Sequence, residues 1–83
     1  MRNDVMHELI GYDLVTNRVV YRATIPAQCE SRVISMVGPE SDDPDAIDSY
    51  VVDTHLANEI VGVARLPAAP QEAEYFLESL ATV

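Results

Sequence analysis

Apolar and polar positions along the chain fall into short blocks, each with its own period. From Met6 to Leu14 they alternate, with Ile10, Tyr12 and Leu14 on one side and His7, Glu8 and Asp13 interrupting the apolar run. Period two is the repeat of a strand, whose successive side chains point to opposite faces. Thr16-Asn17-Arg18 supplies a polar turn. Val19 to Ile25 then resumes the alternation, Val19, Tyr21, Ala23 and Ile25 sharing one face and Val20, Arg22 and Thr24 the other. β-Branched and aromatic residues suit a pleated, half-buried surface, so this stretch predicts an antiparallel hairpin.

At Pro26 the period changes. Proline's fixed φ and missing N–H suit the first turn of a helix, and Cys29, Val33, Met36 and Val37 follow at helical spacing, with Glu30, Ser31 and Ser35 turned elsewhere. Gly38-Pro39 stops that helix. Further on, Tyr50-Val51-Val52 precedes Asp53, a good N-cap for a second helix burying Leu56, Ala57, Ile60, Val61 and Ala64, with Gly62 weakening or ending it. The last block supports two assignments. Ala73, Phe76, Leu77 and Leu80 fit a helix, while Tyr75 and Leu77 alternating with Glu74 and Glu78 fit a strand. Propensity favours the helix. Topology favours the strand, because an isolated hairpin is marginal and a third strand would complete a sheet for two helices to cover.

The expected fold class is therefore α+β: an N-terminal antiparallel β-hairpin, two short helices, and a C-terminal strand (alternatively a helix) completing a small sheet covered on one face. The 83 residues are one small domain, since a chain of this length builds a single thin core. Its stability margin is modest, and a partner could contribute much of it.

Between these blocks, residues 38–50 break every pattern. Two prolines, two serines and Glu40, Asp42, Asp43, Asp45 and Asp48 crowd into this segment, which predicts an exposed acidic loop ending at Tyr50. Charge across the chain is lopsided in the same direction. The formal net charge is −9, from 14 acids and 5 bases, and every base is an arginine. Residues 1–32 hold four acids against four arginines, whereas residues 33–83 hold the rest of the acids against Arg65 alone. A field of that sign repels nucleic acid and anionic membrane and speeds encounter with a basic partner.

Candidate chemistry changes this picture little. The loop acids do not follow a calcium-loop spacing, because Pro44 intrudes, no glycine holds the sixth position and no glutamate closes the twelfth. His55 and Glu59 lie one turn apart and could share a metal with His7, but an exposed i,i+4 pair is the simpler account, so no metal and no cofactor is expected. Three widely spaced glycines and no lysine leave no phosphate cradle, and no nucleophile sits beside a base, so the chain is expected not to be an enzyme. Cys29, the single cysteine, fits a small apolar position on a buried helix face and a reducing compartment. No apolar run is long enough to span a bilayer and the first residues lack the plan of a secretion signal, which points to the cytoplasm.

Gly11-Tyr12-Asp13-Leu14-Val15-Thr16-Asn17-Arg18-Val19-Val20-Tyr21, a proline-initiated helix, Tyr50 before a short helix, and Glu74-Tyr75-Phe76-Leu77-Glu78 together resemble a type of small stand-alone bacterial domain. The resemblance implies a strand at Tyr75–Glu78 and brings no catalytic residue. Two functions follow from the whole sequence. One is a binding module of immunity or inhibitor type that meets a basic partner, a toxin or a nucleic-acid-binding protein, through Glu40, Asp42, Asp43, Asp45 and Asp48 with Tyr50 as an aromatic anchor. The other is a homodimeric structural or accessory protein that pairs hairpin edges or a patch containing Val20, Tyr50 and Val51.

Overall fold

A computed structural model describes residues 6–80. The hairpin is present as β1 (Met6–Asp13) and β2 (Val19–Thr24), antiparallel, with a register shift between Gly11 and Tyr12. Asp13 closes its turn. Its carboxylate accepts the N–H groups of Val15 and Thr16 at 2.8 and 2.9 Å, and Asn17 takes the positive φ of 61° that an asparagine tolerates. These backbone bonds hold the Asp13 carboxyl below its ordinary pKa.

After Pro26 a 3₁₀ turn at Ala27–Cys29 leads into α1 (Glu30–Val37), which ends on Gly38 in the left-handed region at φ 67°. Three residues, Tyr50–Val52, form β3. The second helix, α2 (Thr54–Ala64), starts where Asp53 accepts the Leu56 N–H at 2.7 Å. It runs through Gly62, contrary to the expectation that this glycine weakens or ends it, and stops at Arg65 in a left-handed conformation. An exposed glycine costs a helix only about 1 kcal/mol, too little to stop one whose Ile60 and Ala64 are buried.

The ambiguous C-terminal block is a strand, β4 (Ala73–Leu80). Topology prevails over propensity here, because β4 lies in the middle of a four-stranded antiparallel sheet ordered β2-β1-β4-β3. Glu and Ala are depleted in strands. Ladder bonds on both sides and burial of Ala73, Tyr75 and Leu77 offset that preference.

Buried residues place both helices on one face of the sheet. Leu9, Tyr21, Ala23, Ile25, Val52, Ala73, Tyr75 and Leu77 form a core with Val33 of α1 and Ala57 and Ile60 of α2. The parity of β1 that faces this core is His7, Leu9 and Gly11, while Ile10 and Tyr12 lie on the other face. Gly11 is required by a close approach: a Cβ there would sit 2.7 Å from Cε1 of Tyr75 and 3.2 Å from Cβ of Tyr21. The two tyrosine rings meet edge-to-face at 6.0 Å. Their hydroxyls donate to the carbonyls of Pro67 and Pro70, which fastens the connector between α2 and β4. Burial pushes both phenol pKa values up.

Candidate functional site

Two surfaces remain once the core is accounted for: the acidic loop at one end of the sheet, and the sheet face without helices. The loop's composition suggests a segment that does not pack, yet Ala46 is fully buried and the main chain is held from three directions.

The deepest hold is His7, a core position in β1 with 1% exposure. Its Nε2 lies 3.0 Å from the Asp45 carbonyl oxygen and 2.9 Å from that of Ala46. Carbonyls only accept, so Nε2 carries a hydrogen and donates to them. Nδ1 lies 2.5 Å from Oε1 of Glu30, and a hydrogen lies between them, since a bare lone pair facing a carboxylate at that distance would be repelled. The other Glu30 oxygen accepts the His7 backbone N–H at 2.9 Å. One histidine thereby ties β1 to the first turn of α1 and to the acidic loop. It also fixes Ala46, whose φ of 52° is unfavourable for a residue with a Cβ.

The second hold is internal to the loop. Asp43 accepts the Ile47 N–H on Oδ1 at 2.9 Å, and the Asp48 N–H and the Tyr50 hydroxyl on Oδ2 at 3.0 and 2.6 Å. The Tyr50 hydroxyl in turn accepts the Glu40 N–H at 3.3 Å. The bond from Tyr50, then those from Asp48 and Ile47, hold the Asp43 carboxyl below its ordinary pKa, and the same bond to Asp43 holds the Tyr50 phenol above its own. The third hold comes from β4: Ser79 donates to the Ile47 carbonyl at 2.6 Å, and Ser49 donates to Glu78 at 3.2 Å.

The six residues expected at a binding site thus divide. Glu40, Asp42, Asp45 and Asp48 are exposed, whereas Asp43 and Tyr50 are half-buried and bonded to each other. Tyr50 packs the end of the loop onto the domain and directs its hydroxyl inward. His55 is exposed on α2, with Nε2 3.4 Å from Glu59, while His7 is buried with both ring nitrogens engaged. Sequence reasoning missed His7 and Glu30 as a pair. The available signal was the parity of His7 with Leu9 and Gly11, which places it in the core, where an imidazole needs partners.

The helix-free face is the second surface. Register aligns Arg22, Ile10, Phe76 and Val51 in one row across all four strands. Ile10 is covered, with 3% exposure, while Val51 is 70% exposed. Tyr12 and Phe76 meet edge-on at 5.7 Å beside this row. Glu8 and Glu78 pair directly across β1 and β4 on one side of the row, and Glu74 lies opposite Tyr12 on the other. Among the described residues no helix is long and apolar enough to cross a membrane, and no three His, Cys, Asp or Glu side chains converge to hold a metal ion. Compared with protein-family models, with curated proteins and with solved structures, the chain matches none.

Proposed function

We propose that this chain is a non-enzymatic, cytoplasmic protein-binding module that presents an acidic surface to a basic protein, in the manner of an immunity protein or inhibitor. The observation that carries this reading is the way the acidic loop is held. A loop anchored by the His7 latch, by the Asp43–Tyr50 clamp and by Ser79 and Glu78 of β4 keeps one shape, so little ordering entropy is lost when a partner arrives. The exposed acids Glu40, Asp42, Asp45 and Asp48 are carried on that fixed frame, where they steer a basic partner and set its register. His7, the buried histidine, supports the non-enzymatic reading because both of its nitrogens serve the fold. The alternative of a homodimeric accessory protein draws on the exposure of Val20 and Val51.

The test is affinity capture at low and at roughly 0.5 M salt, where the Debye length falls to about 4 Å. The wild-type chain is compared with a loop variant carrying Glu40→Gln, Asp42→Asn, Asp45→Asn and Asp48→Asn. Retention of a basic protein by the wild type at low salt only, with loss in the variant, supports the reading. Equal retention by both, or retention that salt does not touch, overturns it.

A further inference from the structure

We propose that the proton held between His7 and Glu30 is a switch on the acidic loop: with it the Asp45–Ala46 peptide is latched to the core, and without it that peptide turns away. As a control on partner binding, the inference rests on the acidic-loop reading; as a property of the fold, it stands on the His7 contacts alone.

Three oxygens surround the buried ring. Oε1 of Glu30 lies at Nδ1, and the carbonyl oxygens of Asp45 and Ala46 lie at Nε2. Carbonyls only accept, so Nε2 needs a hydrogen of its own, and a second hydrogen lies between Nδ1 and Oε1. Whichever of these two atoms owns the second hydrogen, the pair carries one proton more than a neutral imidazole beside an ionised carboxylate. Loss of that proton leaves one hydrogen for two nitrogens that both face acceptors, so a bare lone pair must point at oxygen. Glu30 competes best for the remaining hydrogen. Its bond is the charge-assisted one, and its other oxygen stays fixed by the His7 backbone N–H at 2.9 Å. The lone pair therefore falls on Nε2, against the loop carbonyls.

The loop has a way to yield. Ala46 sits at φ 52°, in the left-handed region that its Cβ disfavours. A half-turn of the Asp45–Ala46 peptide exchanges one of the two carbonyls at Nε2 for the Ala46 N–H and releases Ala46 from that region, giving up the Ala46 N–H bond to the Asp43 carbonyl. The bonds of the Asp43 side chain to Ile47, Asp48 and Tyr50 stay in place. Among the described residues, the charged groups around the ring are Glu30 from α1 and Asp43 from the loop. The Asp43 carboxyl is held down first by the Tyr50 hydroxyl, and the charge of His7 adds to this in the same direction. β4 places the uncharged Ser79 opposite His7, β2 offers the Ile25 N–H to the His7 carbonyl, and Glu8, next along β1, points to the other face. Glu30, whose side chain is 16% exposed, gives the proton a path to water.

The test follows the full chain alone by NMR from about pH 5 to about pH 9, a window inside the limits at which the Asp43–Tyr50 clamp titrates. A His55→Gln background removes the exposed imidazole of α2, so a single ring remains to be followed through its nitrogen signals. The expected result is that the His7 ring loses a proton within the window. Along the same curve, the Ala46 Cα and Cβ shifts should move from left-handed values to those of negative φ, while the Ile47 and Asp48 amides keep their protection. A charge effect on nearby nuclei would not produce that change of backbone signature. Glu30→Gln supplies the second arm. Its side-chain amide can donate to Nδ1 while its oxygen accepts the His7 N–H, so a neutral ring keeps its hydrogen on Nε2 for the loop. Ala46 in that variant should hold its latched shifts across the window. A His7 ring whose protonation is the same from end to end overturns the inference, and so does a ring that titrates while Ala46 stays left-handed. A Glu30→Gln variant that is folded by circular dichroism and still moves as its parent does overturns it as well. If that variant does not fold, the parent titration decides alone. With no partner present, failure here leaves the capture of a basic protein to its own test, and a loop that captures nothing leaves this result intact.

Discussion

The two faces of this sheet are made from the same strands and have opposite fates. The covered face holds Leu9, Tyr21, Val52, Tyr75 and Leu77 against two helices, and its one imidazole is bonded at both nitrogens. The helix-free, bare face holds Ile10, Phe76 and Val51 in a row bordered by glutamates, with Ile10 covered by its neighbours and Val51 largely in water. A small chain can complete one core and no more. Every demanding contact is concentrated on one side: a glycine under a tyrosine ring, a buried histidine, two tyrosine hydroxyls on main-chain carbonyls. Substitutions should therefore separate cleanly by face.

The largest effect is expected at His7. His7→Ala leaves Oε1 of Glu30 and the carbonyls of Asp45 and Ala46 without their side-chain donor, and three acceptors so stranded cost about 3–5 kcal/mol together, read by urea denaturation. Much of the 5–15 kcal/mol typical of a domain would be lost. Leu77→Ala, in the centre of the covered face, should cost about 2–5 kcal/mol in the same assay. Gly11→Ala should cost about 1–3 kcal/mol, because the new methyl drives Tyr75 from its place and strains its bond to the Pro70 carbonyl.

The loop sharpens the comparison through pH. The Asp43 pKa is lowered in the folded chain, so its contribution is present above the unfolded value of 3.8 and is lost as pH falls through the folded one. The Tyr50 pKa is raised, so its contribution is present below 10.0 and is lost as pH rises through the folded value. Protection of the Ile47 and Asp48 amides, taken relative to the intrinsic exchange rate at each pH, should hold between those limits and fall outside them. In Asp43→Asn the phenol of Tyr50, followed by its ultraviolet absorbance, should titrate closer to 10.0. The smallest effect belongs to the bare face: Val51→Ser should shift stability by no more than about 0.5 kcal/mol. A cost comparable to that of Leu77→Ala would mean that this face is part of the core after all.

How much of this was legible in the sequence depends on the range of the interactions involved. The hairpin, the helix after Pro26, the stop at Gly38 and the Asp53 cap are local, set by period and by cap chemistry, and each stands where its residues predict. Residues 73–80 support two local assignments, and only the pairing of β4 with β1 and β3 decides between them. The acidic loop is visible as composition. Its internal order is not, because the Asp43–Tyr50 clamp spans 7 residues and the His7 latch 39. Gly11 gives no sign of its role until Tyr75 is placed above it. The bare face is hidden for the same reason. Glutamates at 8, 74 and 78 look like ordinary solubilising charges until register brings them around one apolar row.

The central claim is that the covered face stabilises the domain while the acidic loop, held in one shape, is the surface proposed to meet a basic partner. Mapping backbone amide shifts by NMR during titration with a lysine-rich peptide tests it most directly. The account predicts shifts along residues 40–49, with the amides of α1 and α2 unmoved. Shifts confined to the two helices would contradict it.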